Sequence, residues 1–245
     1  MRIEAPGREH LGELRRLWQE AFGDTREFMD SFFRYGFAPD RCRCVLEGDT
    51  VAAALYWFRC GDLAYVYGVA TDCRFRGRGL CRMLMEDTAA HLKGRGFGGI
   101  VLVPQDEGLR KMYAAMGYRD CGGLREFVCD AGEACPVRAI GSQEFARLRR
   151  EYLPEGAVLQ EEENLVFLAR QAEFFTGEGF LLTAWREEGV LHGLELLGDE
   201  HRAAAVTAAL GCRKGIFRVP GEPPFAMFLP LTDRESPTYF GFAFD

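Results

Sequence analysis

Apolar residues along the chain fall into two alternating periods. From Gly7 to Phe22 they recur on one helical face, with Leu11, Leu14, Leu17, Trp18 and Ala21 in line, which predicts a helix behind a short first strand at residues 1–5. A second helix is expected after Asp24, which is placed to cap it, and carries Phe28, Met29, Phe32 and Phe33. Pro39 closes that region and the period drops to two. Residues 41–47, 50–59 and 63–71 read as three strands joined by the tight turns Gly48-Asp49 and Gly61-Asp62, an antiparallel meander. Residues 80–93 are helical again until Gly94, Gly96, Gly98 and Gly99 break the pattern. Residues 100–103 suit a buried parallel strand, and 107–116 a helix stopped by Gly117. Residues 118–130 supply one or two closing strands.

After residues 131–136 the order begins again. A strand is expected at 137–140, then a helix capped by Ser142 and running to about residue 151, and another over 162–175. A hairpin follows from 179–186 and 190–197, then a helix over 200–210. Short strands at 216–219, 226–229 and 239–244 are interrupted by Pro220, Pro223 and Pro224. The halves share the order strand, two helices, hairpin, helix, strand. That order reads as duplication of one fold; an unrelated α+β appendage is the other reading. The expected class is a mixed α/β (α+β) protein of two domains, 1–132 and 133–245.

Composition narrows the function classes. With 48% hydrophobic residues in 245, the chain is built to hold a core and not to be disordered. Thirty basic against 37 acidic residues give a net charge of -7 with no basic tail, which argues against nucleic acid as a partner. Nine cysteines and four histidines show no metal-ligand spacing, so no metal is expected and a reducing, cytoplasmic setting is. The first residues contain no apolar run, and nowhere do about 18 apolar residues run together, so neither a secretory signal nor a membrane span is expected.

The chemistry concentrates in residues 69–81, Val-Ala-Thr-Asp-Cys-Arg-Phe-Arg-Gly-Arg-Gly-Leu-Cys, which join a strand to a helix. Gly77 and Gly79 permit unusual dihedrals, and the free amides opening the helix form a nest for an anion, a phosphate or pyrophosphate. Arg74, Arg76 and Arg78 add positive charge. A tight turn with solvated arginines is the plain alternative. A nucleotide P-loop would need Lys-Ser/Thr where Leu80-Cys81 stands, and a dinucleotide fingerprint would need glycine at Arg82.

This stretch resembles the acyl-CoA loop of the GCN5-related N-acetyltransferases, Arg/Gln-x-x-Gly-x-Gly/Ala, with Arg76, Gly77, Arg78, Gly79, Leu80 and Cys81 in the pattern and Cys81 replacing the usual Gly or Ala. Residues 109–118 are similar to that family's second signature, a tyrosine four residues before a Gly-aromatic pair: Tyr113, Gly117 and Tyr118. The resemblance covers residues 1 to about 130. It implies acetyl-CoA as acyl donor, and direct attack by an amine in a ternary complex. Backbone at Val69, Ala70 and Thr71 would take the pantetheine arm, beside a cleft opened by the strand at 100–103. Arg74 and residues 76–81 would take the pyrophosphate, and Tyr113 would be the acid that protonates the leaving thiolate. For the general base Glu47, Asp72, Glu126 and the carboxylates of Asp245 stay open. The second half, with residues 197–202 in place of the loop, resembles a degenerate copy that binds no acyl-CoA and closes over the acceptor site.

Phe32, Tyr35, Trp57, Tyr65 and Tyr67 are candidates to line an apolar acceptor pocket, with core packing the alternative for most of them. The expected function is acetylation of a primary amine on a small molecule. A protein N-terminus or lysine as acceptor, or a non-catalytic acyl-CoA-binding regulator, are the other readings. A monomer is favoured over a homodimer.

Overall fold

The computed structural model describes residues 1–160 and 163–242. Two compact units divide the chain, one of residues 1–119 and 228–235, the other of residues 120–227 and 236–245.

The first unit opens with β1 (Arg2–Glu4) and α1 (Leu11–Phe22), which buries Leu14, Leu17 and Trp18 and leaves Leu11 toward solvent. α2 (Arg26–Ser31) is capped by Thr25, whose hydroxyl accepts from the Phe28 amide at 3.2 Å, and not by Asp24. The reason lies in packing. A buried indole needs an acceptor for its N–H, and Trp18 Nε1 takes the Asp24 carboxylate at 2.8 Å. β2 (Cys42–Glu47), β3 (Thr50–Cys60) and β4 (Leu63–Thr71) form the expected meander. α3 (Leu80–Gly94), β5 (Gly99–Leu102) and α4 (Glu107–Ala114) come next in the chain. The sheet order is β1-β2-β3-β4-β5, antiparallel except for the parallel pair β4 and β5, with residues 228–230 beside β5.

Strand alternation sends neighbouring side chains to opposite faces. Tyr56 packs toward Trp18 of α1, ring centroids 5.2 Å apart, while Trp57 packs toward His91 of α3 at 5.9 Å. Two features set β4 apart from the other strands of this sheet. Its register against β3 steps from Ala54↔Ala70 to Tyr56↔Tyr67, so β4 bulges by one residue. Gly68 in that bulge has φ of 64° and lies under Trp18, where a Cβ would come within 2.8 Å of the indole. Second, β4 pairs with β5 only at residues 63–65, then continues to Thr71 on β3 alone. The two parallel strands therefore part.

In the second unit β6 (Arg119–Asp130) precedes β7 (Arg138–Ile140), α5 (Ser142–Tyr152), α6 (Glu163–Leu168), β8 (Glu173–Gly177), β9 (Phe180–Glu187), β10 (Val190–Gly198), α7 (Ala203–Ala209) and β11 (Lys214–Pro230). Its sheet runs β7-β8-β9-β10-β11, again antiparallel until a final parallel pair, with β6 paired to β11. β10 also bulges, between Gly193 and Glu195, and also pairs with its parallel neighbour over a short stretch, residues 190–193. Element order, sheet order, bulge and parting strands thus occur in both units.

Several expectations need correction. The helix expected over 162–175 is α6 alone, and Phe174 and Phe175 lie in β8, where they enter cores on opposite faces. Adjacent bulky residues can do that on a strand and not on a helix. Gly141, not Ser142, precedes α5 as its cap residue. The prolines 220, 223 and 224 do not break β11; they fall where the strand runs exposed or half-buried. Residues 239–242 form no strand, though Tyr239, Phe240 and Phe242 are buried; residues 243–245 of the expected strand lie outside the described residues.

Under this last segment sits a buried ion pair. Arg149 and Glu195, each 1% exposed, form two hydrogen bonds of 2.8 and 2.9 Å, and the Tyr239 hydroxyl donates to Glu195 at 3.0 Å. Arg149→Met should lower unfolding free energy by about 3–5 kcal/mol, because it leaves a buried carboxylate uncompensated, while the double change Arg149→Met/Glu195→Leu should recover most of it; urea titration reads both. Gly68→Ala should cost about 2 kcal/mol in the same assay, from strained φ and overlap with Trp18.

Candidate functional site

The segment between β4 and α3 is built on one carboxylate. Asp72 directly follows β4, with its amide donating to the Ala52 carbonyl at 3.0 Å and its side chain fully buried. That carboxylate accepts from the Arg74 amide at 2.9 Å, from Arg74 Nε and Nη2 at 3.0 and 2.7 Å, and from Arg16 Nη2 at 2.8 Å. Arg16, on α1, also bonds Glu13 and Glu20, and Glu20 accepts from the Cys73 amide at 3.2 Å. The Arg74 hydrogen bonds, against the cost of burial, hold the Asp72 carboxyl far below the usual carboxylate range. Both oxygens of this carboxylate are engaged, with two donors on each, which speaks against Asp72 as the general base.

Past this anchor the chain opens. Residues 73–75 make a single 3-10 turn and residues 76–79 are not helical; α3 starts at Leu80. Gly77 and Gly79 have φ of 73° and 75°, and a Cβ at either would meet no atom within 4 Å. Gly79 is the residue before the first helical turn and no side chain caps it. The opening amides of a 15-residue helix therefore stand beside two glycines in open space, which suits an anion. The three arginines differ. Arg74 is committed to Asp72. Arg76 Nε donates to the Thr71 carbonyl at 3.1 Å, the Arg78 guanidinium lies 5.2 Å over the Phe75 ring, and neither has a carboxylate partner among the described residues.

Cys81 lies in the first turn of α3, partly exposed, and burial pushes its thiol above the usual range. Tyr113 on α4 is 5% exposed, and the chain turns at Gly117, φ 94°, to bring the Tyr118 ring to 5.7 Å from that of Tyr113. Burial first, and Cys81 second, raise the Tyr113 hydroxyl above an ordinary phenol, so it stays protonated at neutral pH. Val69, Ala70 and Thr71 lie on β4 beyond the bulge, past the last residue paired with β5.

The aromatic candidates divide. Phe32, Tyr65 and Tyr67 share one cluster with Trp18, Tyr56 and Phe58, in which Phe32 and Tyr65 are fully buried and Tyr67 is half-buried. Tyr35 is half-buried in the turn after α2, with the Arg34 guanidinium 5.3 Å over its ring. Trp57 stands apart from them on the α3 face. Among the other base candidates Glu47 lies 3.9 Å from the N-terminal ammonium and Glu126 3.4 Å from Arg218, both well exposed. Asp245 lies outside the described residues. Donor atoms of Glu20, Asp72 and Cys73 lie within 4.8 Å of one another, but guanidinium groups already occupy both carboxylates, so the trio does not fit a cation. Sequence reasoning missed the Asp72 anchor. Its signal is Asp-x-Arg, a carboxylate two residues before the amide it caps.

Mixed sheet, parted parallel strands and an amide-lined loop at their opening define a fold, and the comparisons give it a class. Residues 11–118 match the sequence profile of the Acetyltransferase (GNAT) family. A GCN5-related N-acetyltransferase from Kribbella flavida superposes with a TM-score of 0.72 at 19% identity, over 93% of this chain and 70% of that one. A GCN5-related N-acetyltransferase from Anabaena variabilis gives 0.72 at 12% identity, over 94% and 73%. Eis1 from Mycobacterium abscessus gives 0.68 at 10% identity, over 94% and 74%. The fold is therefore the α/β fold of the GNAT acetyltransferases, a mixed sheet flanked by helices. No curated protein matches the sequence. No helix among the described residues is long and apolar enough to cross a membrane.

Asp72→Asn should destabilise the protein by about 2–4 kcal/mol at pH 7, since it removes the charge that Arg16 and Arg74 share. Because folding depresses this carboxyl, its contribution is complete above the unfolded value of about 3.9 and is lost as pH falls below it. Chemical unfolding at a series of pH values should show a shallower acid limb in the variant.

Proposed function

We propose that this chain is an N-acetyltransferase that moves the acetyl group of acetyl-CoA to a primary amine of a small molecule by direct attack within a ternary complex. One observation carries the reading: an open turn with two left-handed glycines and an uncapped helix start, in the loop that follows β4 beyond its parting from β5. The glycines fit a diphosphate physically, since side chains at 77 and 79 would fill the space left open. Arg76 and Arg78, without a carboxylate partner among the described residues, add the charge such a ligand needs. Val69 and Ala70, no longer paired to β5, offer the pantetheine amides an edge of backbone to bond, and Thr71, whose carbonyl accepts from Arg76 Nε, ends that edge at the loop. The match of residues 11–118 to the GNAT profile supports the same assignment.

In this reading the amine nitrogen adds to the thioester carbonyl carbon, the C–S bond breaks with its electron pair going to sulfur, and Tyr113 gives its hydroxyl proton to that thiolate. Rate comes from placing the two reactants together and from removing charge from the leaving group. The half-buried edge of the aromatic cluster at Tyr67 favours an amine with an aryl or alkyl body. The nine cysteines, all present as thiols, fit a reducing, cytoplasmic setting.

The second domain, residues 133–245, is in this reading a degenerate copy of the first that binds no acyl-CoA. Its 3-10 turn, Glu200–Arg202, runs straight into α7 with no glycine loop between. Beside the bulge of β10, where the first unit leaves open backbone, Glu195 is sealed by Arg149 and Tyr239. Repetition of element order, and of the i to i+2 cap by Asp199 that Asp72 makes in the first unit, supports common descent of the halves.

The test is release of CoA from acetyl-CoA in the presence of arylalkylamines, alkylamines, polyamines and amino-acid amides. Binding without release would make the chain a non-catalytic acyl-CoA binder, and absence of binding would end the proposal. Gly77→Ala/Gly79→Ala should weaken acetyl-CoA binding by about tenfold or more in calorimetry; no neighbour is met at either position, and thermal melts read the strain of the positive φ separately. Tyr113→Phe should lower kcat by about a hundredfold at unchanged acetyl-CoA affinity.

A further inference from the structure

Tyr118 closes the second signature motif, and its ring alone would satisfy the core. Its hydroxyl is another matter. The residue is 3% exposed, and the hydroxyl is buried with no hydrogen-bond partner. A buried unpaired donor costs stability that phenylalanine would not, so a tyrosine here is a loss to the fold. The hydroxyl's surroundings indicate what it serves. The Tyr118 amide donates to the Tyr113 carbonyl at 3.2 Å, and the two rings sit 5.7 Å apart at 59°, so the two phenols are neighbours.

Proton transfer gives that hydroxyl a role, one that rests on the acetyltransferase reading. When Tyr113 gives its proton to the departing thiolate, a phenolate is left in a site where burial opposes charge. A neutral donor with an unused hydrogen can hold it. We infer that the Tyr118 hydroxyl is a positioning group for Tyr113, donating a hydrogen bond to the Tyr113 oxygen as its proton leaves. The atoms balance without a further reagent. Nitrogen bonds to the acyl carbon, sulfur leaves with the C–S pair and takes the Tyr113 proton to give CoASH, and the proton shed by the amine nitrogen returns through solvent to Tyr113. Tyr118 keeps its own proton throughout and never touches the substrate.

The experiment is a double-mutant cycle on the full chain. Tyr118→Phe, Tyr113→Phe and the pair are assayed with acetyl-CoA and the best amine of the panel, alongside acetyl-CoA calorimetry and thermal melts. Tyr118→Phe should lower kcat by about tenfold, with KM for both substrates and the acetyl-CoA affinity within about twofold of wild type. Its melting temperature should be equal or higher, because an unpaired buried hydroxyl is gone. In the Tyr113→Phe background the same change should have no further effect on kcat. Unchanged kcat in Tyr118→Phe, or an equal loss in both backgrounds, overturns the inference while leaving the acetyltransferase reading intact. A loss of kcat accompanied by a lower melting temperature assigns the hydroxyl to the fold and overturns it too. Wild-type protein that binds no acetyl-CoA, or binds it without turnover, overturns both.

Discussion

The buried carboxylate of Asp72 is the constraint on which the first unit's chemistry depends. A charge with no exposed surface must be compensated, and here it draws Arg74 of its own loop and Arg16 of α1 onto itself. The compensation fixes geometry. With Arg74 held back on Asp72 and Cys73 held on Glu20, residues 76–79 start from a defined point and must turn through two left-handed glycines to reach α3. The open glycine turn is thus a consequence of where the ion cluster ends. It also sorts the arginines, since the exposed Arg74 is held by Asp72 while Arg76 and Arg78 meet no carboxylate among the described residues.

A second constraint acts along β4. An extra residue at the Gly68–Val69 bulge turns the strand's free edge, and pairing with β5 stops two residues before the bulge begins. Backbone polar groups that a sheet would satisfy are left for another partner. The second unit repeats the bulge and the early end of parallel pairing on β10, yet closes the space with its own side chains, Arg149, Glu195 and Tyr239. The same topology thus serves an open edge in one unit and a sealed ionic core in the other.

The meander was legible because hairpin turns and β-branched runs are local signals, and β4 lies at residues 63–71 as its pattern requires. The glycine loop was legible for the same reason. Two glycines in a Gly-x-Gly spacing before a periodic apolar run leave few conformations open. Where reading along the chain failed, the deciding partner was distant or the burial was. Asp24 is a good cap in isolation, but Trp18 takes it. The apolar spacing over 163–175 fits a helix, but Phe174 and Phe175 are divided between two cores. Three prolines forecast a break in β11, but exposure along that stretch lets the strand pass.

Local patterning therefore determined the meander, its turns and the glycine loop, because those depend on the conformational preferences of residues near in the chain. Which charges are free depended on contacts between residues far apart: Arg16 lies 56 positions from Asp72, and Arg149 lies 46 from Glu195. So did which face each aromatic serves and which hydroxyl is left without a partner. Burial and pairing are properties of the folded assembly of elements, and a linear pattern carries them only as the types of residue that must be reconciled.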